Sequence, residues 1–398
     1  MAYNFGVMST DKFIIQRFLK LSNNHSFFLF GPRGTGKSTL IYNIFKKNSY
    51  VFDLLDPELE DRFTKNPSEL KQIIEALPSK YIIIDEIQKI PKLLDIVHSL
   101  IEKTNKIFIL TGSSARKLKQ GHANLLAGRA FVYNLHPFSY LEIEKEINLN
   151  DALQWGLLPK IISLKTETSK IQFLQAYAHT YLKEEIWAEQ FVKNLDPFRS
   201  FLEVAAQMNG KIINHSNISR DVGVDDKTVK KYFSILEDTL IGFSLHGFKH
   251  SFRKRLNTKP KFYFFDTGVK RALTKTLTLP IKEGTSAFGE AFEHFIILEC
   301  IKLASYFKSE YKFSYLRTKD DAEVDLVVER PGQPVLFIEI KSRAQVKRES
   351  MSTFINLTKD FGKCEAVCFS NDPYEKVIEG IKVLHWKNGI RKYFKERK

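Results

Sequence analysis

The chain has little that could cross-link or anchor it. It holds 3 cysteines among 398 residues, too few for a disulfide framework at this length. Two of them, Cys364 and Cys368, stand in a strand-like stretch with no second pair to complete a zinc site, and read as buried thiols. No apolar run approaches the roughly 18 residues that span a bilayer, and the N-terminus lacks a basic segment followed by an apolar stretch and a cleavage site. The expectation is a chain with no membrane partner, in a reducing, cytoplasmic setting. Acid is also scarce, since 46 Asp and Glu face 61 Lys and Arg for a net charge of +15. Such an excess points to a polyanionic partner such as nucleic acid, and bears on binding and not on fold. It is unevenly placed: residues 249–261 carry six basic residues and no acid, and residues 382–398 carry seven against Glu396. An apolar content of 43% with 27% charged residues excludes disorder as the main state. At about 150 residues per domain, the length predicts two and a half to three domains.

What is present is sharpest near the start. Phe27-Phe28-Leu29-Phe30 is a short apolar run of strand type, and it leads directly into Gly31-Pro32-Arg33-Gly34-Thr35-Gly36-Lys37-Ser38. Thr39 to Phe45 then reads as a helix. This is the Gly-x4-Gly-Lys-Ser phosphate loop in its required strand-to-helix context. Glycines let backbone N–H groups wrap phosphates and the helix N-terminus adds a favourable dipole. Lys37 is then placed for the β and γ phosphates of ATP, and Ser38 for Mg2+. A second apolar strand, Tyr81-Ile82-Ile83-Ile84, ends in Asp85-Glu86. Carboxylates at the C-terminal edge of a buried parallel strand stand where α/β ligand sites form. Asp85 would join the Mg2+ shell and Glu86 would orient and activate the attacking water.

At this point the chain resembles the AAA+ ATPases. Lys106 to Ser114 is another core strand ending in hydroxyl residues, which fits the family's sensor position, with Thr111 or Ser113 facing the γ-phosphate or the water. Arg129 precedes a further strand, where such proteins place an arginine finger acting on a neighbouring subunit. The resemblance therefore implies a homo-oligomer in which hydrolysis needs a second copy.

Residues 149–207 turn helical, with apolar residues at spacings of three and four, as a helical lid or bridge. From Asn214 to Leu236 two short helices break at Gly223, a helix-turn-helix in which Val224 tucks inward and Asp225 or Asp226 caps the second helix. Val229, Tyr232 or Phe233, and Leu236 face the core, leaving Lys227, Thr228, Lys230 and Lys231 outward, as a helix suited to DNA phosphates. Gly242–Phe248 and Lys261–Phe265 are expected to pair as a wing, with the first basic run between them. Further on, an amphipathic helix carries Glu293 and is followed by a three-strand meander. Asp325 lies on its second strand, and Glu339 and Lys341 share one face of its third. Charged groups inside apolar runs are expensive unless they bind something.

That constellation resembles the restriction-endonuclease-like nucleases. The resemblance implies Mg2+ held by Asp325, Glu339 and the Ile340 carbonyl, with Glu293 completing the acidic site and Lys341 activating water. The whole order of motifs resembles a broad family of bacterial and archaeal AAA+ ATPases that end in a domain of unknown function. The expected fold is α/β: an AAA+ P-loop ATPase domain over residues 1–148 with a parallel sheet flanked by helices. A helical lid follows over 149–207, then a winged helix-turn-helix over 208–280 and an α/β restriction-endonuclease-like domain over 281–398. Implied by the resemblance is an ATP-hydrolysing protein that binds DNA, with cleavage by the metal-dependent nuclease-like domain left open as a further activity. The alternative is a nucleotide-gated DNA- or protein-binding regulator with no nuclease activity.

Overall fold

A computed structural model describes residues 15–114, 126, 128–181, 195–248, 259–361 and 363–395. The basic residues Lys249, Arg253, Lys254 and Arg255, and the segment containing Trp187, lie outside the described residues. The chain divides into two compact units, residues 1–138 with 238–241, and residues 139–237 with 242–398.

The first unit is built on five strands, β1 (Ser26–Phe30), β2 (Ser49–Asp53), β3 (Tyr81–Asp85), β4 (Ile107–Gly112) and β5 (Ala130–Asn134). They lie in the order β2-β3-β4-β1-β5, and every pairing is parallel. Parallel neighbours need crossovers that cover both faces, so the strands read as continuous apolar runs. All five residues of β1 and all six of β4 are buried accordingly. Side chains two apart share a face. Phe28, Phe30, Ile82, Ile84, Phe108 and Leu110 form one core with Leu93, Val97 and Leu100 of the helix Leu93–Lys103. The alternate residues face the other way, where Phe27 meets Phe45 of α1 (Lys37–Phe45) with ring centroids 5.9 Å apart. Each such fully buried side chain contributes roughly 1.5–3 kcal/mol.

The second unit begins with short helices, among them Leu149–Trp155, Pro159–Ser163 and Glu167–Ala176. A helix pair follows, His215–Val222 and Asp226–Asp238. Gly223 joins them at φ 73°, in the left-handed region that suits glycine. Asp225 is the cap, since its Oδ1 accepts from Thr228 N at 2.9 Å, while Asp226 accepts from Ser216 Oγ at 2.6 Å and staples the two helices. Tyr232 and Phe233 both face the core, with Val229, Ile235 and Leu236. Val224 is only half-buried, and Lys227, Lys230 and Lys231 are exposed. Strands β6 (Gly242–Leu245) and β7 (Lys261–Phe264) pair antiparallel as a ribbon. One expectation fails here: Lys261, counted with the basic run facing solvent, is 5% exposed. The ribbon turns its side chain inward.

The rest of the unit is a six-stranded mixed sheet in the order β12-β13-β11-β10-β9-β8. Its meander is β8 (Lys312–Arg317), β9 (Glu323–Glu329) and β10 (Val335–Lys341), all antiparallel neighbours. Strand β11 (Cys364–Ser370) then runs parallel to β10, and β13 (Ile381–His385) parallel to β11, with β12 (Lys376–Ile378) on the edge. The 22-residue helix Ser286–Phe307 is buried along most of its length. Of the second basic run, Lys382 lies on β13 and Lys387, Arg391 and Lys392 lie on the helix Trp386–Phe394, which buries Trp386, Ile390, Tyr393 and Phe394.

Candidate functional site

In the first unit the phosphate-loop residues leave β1 and enter α1. Gly34 and Gly36 sit at φ 79° and 92°, so two turns of the loop use backbone that side chains disfavour. Thr35 is 1% exposed and closes the loop by donating to the Pro32 carbonyl at 2.8 Å. Lys37 is 7% exposed and folds back onto the loop, its Nζ donating to the carbonyls of Gly31 at 2.7 Å and Pro32 at 3.4 Å. Arg33, Ser38 and Thr39 are exposed at the rim.

Strand order decides what stands beside the loop. Because β4 lies between β1 and β3, and Leu29 pairs with Thr111 while Ile84 pairs with Leu110, Thr111 falls between the loop and Asp85. Its hydroxyl donates to Asp85 Oδ1, and accepts from Glu86 N at 3.3 Å. Asp85 Oδ2 in turn accepts from Ser38 Oγ at 3.0 Å. Thr111, Asp85 and Ser38 therefore form one chain from the ends of β4 and β3 to the start of α1. Ser113 enters differently: it accepts from Gln88 Nε2 at 3.3 Å, and the same amide holds Glu86 Oε2. Gln88 is 2% exposed, and sequence reasoning passed it over because it follows the carboxylate pair inside a one-turn 3-10 helix. Glu86 itself is at φ 59°, a left-handed conformation unusual for a side-chain-bearing residue and one often kept at functional positions.

Arg129 is not brought to this site. It precedes β5, whose first residue Ala130 pairs with Ser26 at the start of β1, so it lies at the sheet edge opposite the loop. There its Nε donates to Glu102 Oε1 at 3.0 Å and its guanidinium holds that carboxyl below the usual range.

In the second unit, antiparallel pairing of Ile338 with Leu326 sets Asp325 opposite Glu339 one step on. Asp325 Oδ2 accepts from Ile340 N at 2.7 Å, and Lys341 Nζ lies 2.6 Å from Glu339 Oε1. Glu293 comes from the long helix and accepts from Tyr263 Oη at 3.0 Å. Into this group the ribbon inserts Lys261, whose ammonium pairs with Glu323 and stands 3.8 Å from Glu293. Lys261, Tyr263 and Glu323 are additions that the sequence did not single out for this place. Burial, then Asp325, pushes Glu339 up to about 8 and Glu293 up to about 7. Burial alone would pull Lys261 down, yet Glu293 and Glu323 outweigh it and hold it above its ordinary value. Glu339 Oε2 is buried without a hydrogen-bond partner. Among the described residues, no group of three or more His, Cys, Asp or Glu side chains is placed to hold a metal ion. None of the described helices is long and apolar enough to cross a membrane.

Residues 23–144 match the family described as AAA domain, and they lie in an α/β unit with a five-stranded parallel sheet. Residues 146–279 and 288–388 match two domains of unknown function, DUF8612 and DUF4143. Similar proteins include uncharacterized proteins of Mycobacterium tuberculosis and Mycobacterium bovis, each 26% identical over 83% of this chain and 73% of theirs. An uncharacterized protein of Haemophilus influenzae is 22% identical over 89% of this chain and 91% of its own. Among solved structures, the S. cerevisiae Hsp104-ADP complex aligns at 9% identity and a TM-score of 0.26, covering 70% of this chain and 40% of that one.

Proposed function

We propose that the chain is an ATP-hydrolysing switch that contacts DNA through the helix Asp226–Asp238, and that its C-terminal sheet binds and does not cut. The observation that carries the ATPase reading is the Ser38–Asp85–Thr111 chain beside the phosphate loop. A hydroxyl and a carboxylate 3.0 Å apart are a donor set suited to Mg2+. When bound with the nucleotide, Mg2+ offsets the phosphate charge. The residues do the rest. Backbone N–H groups of Gly34, Gly36 and their neighbours wrap the phosphates, Lys37 leaves the loop carbonyls for phosphate oxygens, Glu86 accepts the water's proton, and Gln88 positions Glu86. Glu86→Gln is expected to bind ATP normally while turnover falls by roughly a hundredfold or more. Ordinary turnover in that variant would remove Glu86 from the role. Because Arg129 stands at the far edge of its own sheet, a finger role for it would be exercised on a second copy's nucleotide, and the active form would then be an oligomer.

The DNA reading rests on three exposed lysines on the second helix of a helix-turn-helix arrangement. Reversing Lys227, Lys230 and Lys231 to Glu is expected to weaken duplex binding measured by anisotropy. It should also flatten the log-log salt slope by about 0.9 per lost phosphate contact. An unchanged slope would refute the assignment. A nuclease reading is favoured by Asp325, Glu339 and Lys341 on adjoining strands and by the unpartnered Glu339 Oε2. The residues present do not fit a metal there, since Lys261 and Lys341 already meet the carboxylates. Incubation of the protein with several DNA forms and Mg2+ or Mn2+ separates the two readings: cleavage lost in Asp325→Ala would restore the nuclease.

A further inference from the structure

The second unit contains a cavity of about 310 Å³, within the size range of small-ligand sites. Two consecutive cationic residues of the helix Thr267–Leu273, Lys270 and Arg271, line it. Arg271 is 7% exposed. Its Nη2 is satisfied by the carbonyls of Thr276 and Leu279, but its Nε is buried and has no partner. Among the described residues no carboxylate offsets the burial of this guanidinium, which pulls it down to about 10. Burial also lowers Lys270, with Glu290 opposing and Arg271 and Lys211 reinforcing the fall. Glu290 is thus the one acid in the lining, against two cations. His294, also in the lining, adds no charge, because burial drives it down to about 3 and its Nε2 is 2.6 Å from the Phe264 carbonyl. Buried charge without a counter-ion is costly and is normally offset by pairing. The wall also includes Leu279, Pro280 and Ile281, an apolar strip beside the charged end.

We propose that this cavity is a binding site for a small organic anion, a carboxylate or phosphate ester, whose oxygen meets Arg271 Nε–H and Lys270 while its apolar body lies on Leu279–Ile281. The site is separate from the phosphate loop and from the acidic constellation, and depends on neither reading of them. Its test uses phenyl phosphate and benzoate, titrated calorimetrically into the full chain carrying Lys37→Ala, so that the phosphate loop contributes little. Saturable binding of one or both probes at a single site is expected, the preferred probe reporting which oxyanion fits. Lys270→Met should weaken it about tenfold, the loss of one charge-assisted hydrogen bond. Ala287 is exposed at the lining, so Ala287→Trp obstructs the cavity without cutting into the core, and should abolish binding with the melting temperature unchanged. Arg271→Met is a poor sole test, because Arg271 also holds two carbonyls of the following loop. Failure of both probes at millimolar concentration, or equal affinity in Lys270→Met and Ala287→Trp, would overturn the proposal.

Discussion

Lys37→Ala is expected to lower ATP turnover by on the order of a hundred- to a thousandfold, the scale for removing one preorganised donor from developing negative charge. The argument starts from what Lys37 does without nucleotide. The residue is 7% exposed, and its ammonium donates to two carbonyls of its own loop. Those carbonyls are poor competitors for phosphate oxygens, because a charge-assisted bond to an anion is roughly twice as strong as one to a neutral acceptor. Removing the side chain therefore costs little in the resting fold, about 1 kcal/mol for the hydrogen bonds lost, and much at the phosphates. Phosphate release at saturating ATP measures the large effect, and thermal unfolding measures the small one. Affinity for ADP should fall less than turnover, since Lys37 is assigned to the β and γ phosphates and only the β remains. Turnover at the wild-type rate would take the phosphate loop out of the chemistry.

The phosphate loop was legible because everything it needs is local: strand, glycines, Lys37 and Ser38 fall within one short stretch. Asp85 was legible for the same reason, as the end of an apolar run. Which of Thr111 and Ser113 reaches Asp85 was not, because it depends on β4 lying between β1 and β3 in register, and no local pattern reports strand order. Asp225 and Asp226 were likewise separable only once the helix partners were in place. Lys261 shows the opposite failure. In a run of cations it reads as solvated, and its burial follows from pairing with a glutamate 62 residues away. In the C-terminal run the alternation in Ile381–His385 and the apolar face of Trp386–Phe394 are masked in the sequence by the lysines between them.

Lys261→Met is expected to lower the unfolding free energy by about 2 kcal/mol. That is below the 3–5 kcal/mol typical of breaking a buried pair, because Glu293 and Glu323 remain 29% and 28% exposed and solvent screens them. The loss should depend on pH in a definite direction. Glu293 and Glu339 have folded pKa values of about 7 and about 8, above the ordinary 4.5, with burial the first cause and Asp325 the next. A carboxyl raised in this way adds stability that is fully present below about 4.5 and is lost as pH rises through its folded value. Lys261 lowers Glu293, so without it the folded value climbs further and the carboxylates repel one another unrelieved. The variant's deficit should therefore be widest near pH 8 to 9 and shrink toward pH 5, as followed by thermal unfolding in parallel buffers. Glu323→Gln added to Lys261→Met should recover part of the loss, because it removes a negative charge that has lost its partner. A deficit that is the same at every pH would reduce Lys261 to a packing residue. Nucleotide-free wild-type protein should melt at the same temperature with and without Mg2+. A clear rise with Mg2+ would mean that the ion displaces the lysine, and that the acidic constellation is a metal site which the ribbon closes.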